Sequence, residues 1–202
     1  MIGLNKQDGV WTATINRPDK ANSLTEEMLS NLADIAENVQ EARVLILTGA
    51  GSVFSAGADL DAARAGLAVS PVWERLSTAI ANLPCLTIAA LNGTVAGGAM
   101  GMILACDLRV AVGTAKIFYP VMKLGFLPQP SDPPRLTKLV GPSRAKMILM
   151  SGQKIDAETA LQWGLFDTLT KPEALMETCQ ALASDTLSAT PEHAAAIKSL
   201  IP

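Results

Sequence analysis

Residues 9–112 predict an α/β core built on a crossover-connected parallel sheet, and residues 141–202 predict a helical continuation of the same domain. Three observations carry this prediction. Short apolar runs alternate with stretches of helical hydrophobic spacing, which is the order of βαβ units. Glycine and proline separate the runs. Beyond residue 141, helix start and stop signals recur without a strand pattern between them.

Taken in order, Gly9–Asn16 alternates apolar and polar residues as a strand does, and Asn16-Arg17-Pro18-Asp19-Lys20 reads as a turn. Ser23-Leu24-Thr25-Glu26 matches a capping box, and Met28, Leu32, Ile35, Ala36 and Val39 follow at helical spacing. Val44–Thr48 is a continuous apolar run suited to a strand buried on both faces. Val72, Leu76, Ala79, Ile80 and Leu83 mark a second amphipathic helix, leading into the buried strand Leu86–Leu91. A glycine pair and an Ala/Met/Leu helix come next, then a strand over Leu108–Val112. Pro128, Pro130, Pro133 and Pro134 punctuate a loop. Helices are predicted over 143–150, 156–163 (Asp156 as N-cap, Gly164 as stop), 172–187 and 191–200.

Composition narrows the function. The chain has 202 residues, 49% of them hydrophobic and 17% charged, so a large core is expected and extensive disorder is not. A net charge of −3 without a basic cluster argues against nucleic acid as a partner. Met1–Lys6 lacks the features of a signal peptide, and the longest apolar run, Thr94–Ala105, is rich in Gly and Ala and suits a buried helix. No membrane partner and a cytoplasmic location are therefore expected. Cys85, Cys106 and Cys179 read as reduced thiols, and with a single histidine no metal site is expected. His193 reads as a surface residue.

Two turns carry the chemistry: Phe54-Ser55-Ala56-Gly57-Ala58-Asp59-Leu60 and Asn92-Gly93-Thr94-Val95-Ala96-Gly97-Gly98-Ala99. Each follows an apolar strand and precedes a possible helix start. Glycine allows close backbone approach, and a helix start presents free N–H groups. Two such turns face to face would hold a carbonyl oxygen between two backbone donors, which is an oxyanion hole.

In their order, these turns and the segments Ile15–Leu24, Val44–Gly51, Ile88–Gly93, Ala105–Ala111, Leu124–Pro128, Arg135-Leu136, Leu139–Gly141, Ser151-Gly152, Ala157–Ala160 and Gly164–Asp167 resemble the crotonase (enoyl-CoA hydratase/isomerase) superfamily. The resemblance spans nearly the whole chain. It implies a crotonase-like spiral of ββα units over residues 1–140, with a short C-terminal helical region over 141–202 that contributes to oligomerisation. It also implies acyl-CoA thioester substrates, CoA being part of the substrate rather than a separate cofactor, and a homo-oligomer, trimer or dimer of trimers. By motif position the oxyanion-hole amides are those of Ala58 and Gly98. CoA would rest near Lys20, Ala21, Ala56, Asp59 and Leu60, with Lys20 either pairing with a phosphate or remaining a solvated turn residue. Lys198 resembles a family lysine that reaches CoA phosphate, often across a subunit contact. Relatives generally continue past the position of Pro202 with helices covering the acyl pocket, which here is either more open or closed by another subunit.

Two departures stand out. The hydratases of this family use two glutamates, and those positions are Gly101 and Val121 here. Neither moves a proton, so ordinary hydration is not expected. Glu74 and Asp132 are the substitute acid/base candidates. Glu74 is either turned inward or a surface residue, and Asp132 is either fixed toward the ligand or a capping aspartate. Tyr119, the one tyrosine, is either a hydrogen-bond donor or a core residue. Two functions follow: an enzyme acting on acyl-CoA through a stabilised enolate or oxyanion, or a homologue that binds acyl-CoA or a partner protein without turnover.

Overall fold

A computed structural model describes residues 1–39 and 41–201. The chain opens with a hairpin, β1 (Ile2–Gln7) and β2 (Val10–Ile15), antiparallel and closed by Asp8 and Gly9, both at positive φ. An Asp-Gly pair is a strong hairpin signal, but with no alternation recognised in residues 2–7, β1 was not among the expected elements. Helix α1 (Glu26–Glu37) starts two residues later than the capping-box reading requires. Thr25 is its N-cap, accepting from Met28 N–H, while the Ser23 hydroxyl faces Arg17 and Asp59.

Three ββα steps follow. The first is β3 (Val44–Gly49), β4 (Val53–Ser55), α2 (Leu60–Arg64) and α3 (Val72–Ala81). The second is β5 (Leu86–Leu91), β6 (Thr94–Ala96) and α4 (Ala99–Ala105). The third is β7 (Leu108–Val112), β8 (Lys116–Phe118), α5 (Val121–Leu124) and α6 (Asp132–Val140). The rest comprises α7 (Pro142–Leu149), β9 (Ile155–Asp156), α8 (Ala157–Gln162), β10 (Thr168–Thr170), α9 (Leu175–Ser188) and α10 (Pro191–Ser199).

Each step adds a long strand to one sheet and a short strand to another. The long strands form a six-stranded sheet in the order β1-β2-β3-β5-β7-β10, parallel from β2 onward. The short strands form a second sheet, β4-β6-β8-β9, in which β4, β6 and β8 are parallel. This is the expected α/β spiral of ββα units. Val44–Leu47 and Thr87–Leu91 are buried throughout, as strands covered on both faces must be, and α9 packs across β3, β5 and β7.

Two expectations need correction. Residues 141–202 are not purely helical, because β9 pairs with β8 and β10 with β7. Their two- and three-residue lengths fall below the span over which alternation is readable. The proline-rich segment is not all loop: Pro133 and Pro134 lie in the first turn of α6, where a missing N–H removes no helical bond. Asp156, by contrast, caps α8 through Thr159 N–H, and Gly164 ends that turn at positive φ, both as read.

Two polar residues lock the core. Arg109 is 3% exposed and donates to the carbonyls of Cys106, Asp107 and Leu165 and to the Asp167 carboxylate, joining β7 to the approach to β10. Asn22 is fully buried in the left-handed region, donating to the carbonyls of Ala50 and Val53 and accepting from Arg17 N–H. Replacing it orphans Ala50 O and Arg17 N–H, and puts alanine in a left-handed conformation that asparagine tolerates better. Asn22→Ala is expected to cost about 2–3 kcal/mol, read as a lower midpoint in urea unfolding with an unchanged slope.

Candidate active site

The two glycine turns leave β4 and β6, which are neighbours and parallel, so both turns emerge at the same edge of the short sheet. Gly57 and Gly97 both have positive φ. A β-carbon on Gly57 would stand 2.7 Å from Ala96 O and 3.4 Å from Gly97 Cα, so the two backbones touch with no room for a side chain. Just beyond this contact lie Ala58 and Gly98, both half-buried. Among the described residues, neither Ala58 N–H nor Gly98 N–H has a protein acceptor.

The N-terminal loop holds the first turn. Leu24 bridges Ala58 through Leu24 N–H to Gly57 O and Asp59 N–H to Leu24 O, and Ala56 N–H reaches Ala21 O at 3.0 Å. Ser55 Oγ donates to Asn22 O and accepts from Gly57 N–H. Arg17 Nη1 pairs with Asp59 Oδ2 at 2.8 Å, while Asp59 Oδ1 caps α2 through Asp61 and Ala62. The Arg17 bond, with those backbone amides, holds the Asp59 carboxyl below its ordinary range. Lys20, Ala21, Ala56, Asp59 and Leu60 therefore gather beside Ala58 on this loop and turn, with Leu60 largely exposed. The sequence reading did not find the Arg17–Asp59 pair, since nothing in a separation of 42 residues signals it.

Lys198 does not join them. Its ammonium contacts Asp107 Oδ2 at 2.7 Å and Cys85 O at 2.8 Å, where β5 and β7 begin. The turns instead follow β4 and β6, which come after the other ends of β3 and β5. The Asp107 carboxylate, already bonded to Thr87, attracts the lysine there. His193 is exposed on α10, as expected.

Asp132 and Glu74 do converge. The Asp132 side chain is completely buried at the start of α6, yet it serves neither as cap nor as turn. Its Oδ2 accepts from Tyr119 Oη at 2.8 Å, and its Oδ1 has no partner among the described residues. A β-carbon on Gly101 would stand 2.9 Å from Oδ1 and 3.5 Å from Oδ2. The carboxylate thus occupies space that a side chain on Gly101 would claim. Gly101 lies three residues beyond Gly98, on the same face of α4. Val121, the other glutamate position, is buried and apolar.

Burial pushes the Asp132 carboxyl up to about 6, with Glu74 adding to the rise and Tyr119 and Arg135 opposing it. Burial, then the Asp132 charge, raises the Tyr119 hydroxyl and keeps it a donor. Glu74 is half-buried on α3 and turns toward α6, accepting from Ser131 N–H at 3.3 Å and from the Ser131 hydroxyl, with Thr78 Oγ1 at 3.5 Å. Trp73, absent from the sequence candidates, walls the second turn. Its ring atoms stand 3.0–3.1 Å from where a Gly98 β-carbon would be, and its indole N–H binds Leu67 O.

The chain is similar to known proteins over nearly its whole length. The family model described as enoyl-CoA hydratase/isomerase matches residues 5–201. The 1,2-epoxyphenylacetyl-CoA isomerase of Escherichia coli is 34% identical over 189 residues, covering 88% of this chain and 72% of that protein. The short-chain-enoyl-CoA hydratase of Clostridium acetobutylicum is 33% identical over 201 residues, covering 93% and 76%. Among solved structures, DspI of Pseudomonas aeruginosa superposes with a TM-score of 0.91 at 31% identity, over 99% of this chain and 85% of that one.

The steric relation of Gly101 to Asp132 gives a direct check. Gly101→Ala is expected to cost about 1–3 kcal/mol from overpacking against the buried carboxylate. The same change in an Asp132→Gly background should cost much less, a non-additivity measured by a double-mutant cycle in urea.

Proposed function

The chain belongs to the enoyl-CoA hydratase/isomerase family, and we propose that it moves a proton on an acyl-CoA thioester, with Asp132 as its acid/base group. Asp132 takes a proton from carbon next to, or conjugated with, the thioester. The electron pair of that C–H bond shifts to the thioester oxygen, giving an enolate. Ala58 N–H and Gly98 N–H meet the negative oxygen, and the protonated Asp132 returns its proton to another carbon. The product is an isomer, and neither water nor an external reductant is consumed. CoA is assigned to the side of the first turn, against Lys20, Ala21 and the Ala56–Leu60 backbone.

The observation that carries this reading is the unpartnered Oδ1 of Asp132, buried beside Gly101 and one helical turn from Gly98. Two fixed donors suit an enolate because each is typically worth about 3 kcal/mol of barrier. With Glu74 bonded to Ser131, Asp132 is the carboxyl here with an unpartnered oxygen, which favours proton transfer over hydration. Activating a water would call for a second proton-handling group, and the buried Val121 supplies none.

The pH dependence has a definite sign. Folding raises Asp132 from 3.8 to about 6, so its stability contribution is full below the ordinary carboxylate range and lost as pH rises through about 6. Activity runs the other way, because only the ionised carboxylate accepts a proton. In stopped assays with a 3-enoyl-CoA, kcat/KM is expected to fall as pH drops through about 6. Asp132→Asn should lower turnover by roughly 10²–10⁴ while acyl-CoA binding, measured by calorimetry, is retained. Crotonyl-CoA hydration should be very weak in the wild type. Vigorous hydration, or an Asp132→Asn enzyme with full isomerase activity, would overturn the reading.

A further inference from the structure

Both oxygens of the Glu74 carboxylate bind Ser131, and Oε1 also accepts a longer bond from Thr78 Oγ1 at 3.5 Å. Oε2 accepts from Ser131 N–H at 3.3 Å, and Oε1 accepts from the Ser131 hydroxyl. Ser131 is the residue before Asp132 and the N-cap position of α6, but its own side chain makes no capping bond there. The hydroxyl that could cap the helix is instead turned to α3. Glu74 thus fastens the start of α6 to α3 from one side, while Tyr119, following β8, holds Asp132 Oδ2 from the other. Between these two restraints Asp132 Oδ1 is left without a partner.

We propose that Glu74 is a positioning residue for Asp132, acting through the amide and hydroxyl of Ser131. The proposal rests on the reading of Asp132 as the acid/base group. It assigns Glu74 a part distinct from the direct base suggested by sequence alone, because its oxygens already face Ser131. Two consequences follow from the geometry. The clamp fixes the Asp132 backbone and therefore the distance from its carboxyl to the α4 face that carries Gly98 and Gly101. The negative charge of Glu74 also opposes ionisation of Asp132.

Every ionisable group around Asp132 enters this balance. Tyr119, following β8, and Arg135, on α6, favour the ionised form, whereas Glu74, on α3, disfavours it. The facing position on α4 is Gly101, which has no ionisable group.

Three variants separate clamp from charge. Glu74→Gln keeps an acceptor for Ser131 but removes the charge. Ser131→Ala keeps the charge but removes the hydroxyl link. Glu74→Ala removes both. Asp132 is followed by ¹³C carboxyl NMR of the free protein, assigned with Asp132→Asn, and 3-enoyl-CoA isomerisation is followed across pH. In Glu74→Gln the Asp132 midpoint and the low-pH limb of kcat should both move to lower pH, with KM unchanged. In Ser131→Ala the midpoint should stay near its wild-type value while kcat falls roughly tenfold, the cost of a misplaced reacting group. Glu74→Ala should show both effects, and Glu74→Gln should retain more of the wild-type kcat than Glu74→Ala.

An unmoved Asp132 midpoint and unchanged kcat in both Glu74 variants would overturn the proposal. The NMR arm needs no substrate. A wild type without turnover would therefore remove the proposed reaction, while a midpoint shift in Glu74→Gln would still support the coupling of Glu74 to Asp132.

Discussion

The parallel pairing of β4 with β6 is the constraint on which the site depends. Two turns at the same ends of adjacent parallel strands must emerge side by side. Here they emerge so close that a β-carbon on Gly57 would strike Ala96 O. That contact fixes where Ala58 and Gly98 lie, and it would let their backbone amides serve as the proposed donors. Amides held by a strand register cost no side-chain entropy and need no reorientation as charge develops on a ligand. The identity of residue 58 is then free to vary, whereas Gly57 is not. The remainder of the N-terminal segment serves this register. Asn22, Leu24 and the Arg17–Asp59 pair all bind the stretch from Ala50 to Asp59.

The Asp132 carboxylate and the glycine at 101 share one volume. A helix presents residues 98 and 101 on one face, so a side chain at 101 would project beside the turn. With glycine at 101, that volume is open to a group arriving from another element. Asp132 fills it from the start of α6. The substitution is sterically reciprocal, because a β-carbon at 101 and the carboxylate at 132 cannot both be accommodated as they stand. It also changes the electrostatics. A carboxyl delivered from a buried helix start is more desolvated than one on a flexible arm reaching into solvent, and its proton is held more tightly.

Most of the fold was legible from the chain because its signals are local. Val44–Thr48, Leu86–Leu91 and Leu108–Val112 are apolar runs bounded by turn residues, and α8 carries its own cap and stop. Elements shorter than a period were not legible. β9 and β10 exist because long-range pairing with β8 and β7 makes them strands. The N-terminus of α1 shows a different failure, since Ser23 matches the capping pattern but is recruited to the Arg17–Asp59 cluster. At the site, the two glycine turns could be read directly, because their glycines are local signals. What could not be read was which alternative held for Asp132, because the answer lies in burial against Gly101 and Tyr119, 31 and 13 residues away.

A raised carboxyl also suits the chemistry better than an ordinary one. Removing a proton from carbon beside a thioester is uphill for a carboxylate of ordinary basicity, and the difference is shared between the base and the oxyanion donors. In the proposed role, a carboxyl near 6 would still be ionised at neutral pH, yet would hold a proton about two units more firmly than an exposed aspartate. The groups around Asp132 pull in opposite directions to reach this compromise. Burial and Glu74 raise its affinity for the proton, and Tyr119 and Arg135 prevent the rise from going so far that the group would be neutral when needed. Without Tyr119 the buried carboxylate would lose the hydrogen bond on Oδ2; a second donor on Oδ1 would stabilise its charged form further. Leaving one oxygen held and one unpartnered orients the carboxyl and suits the acid/base part proposed for it.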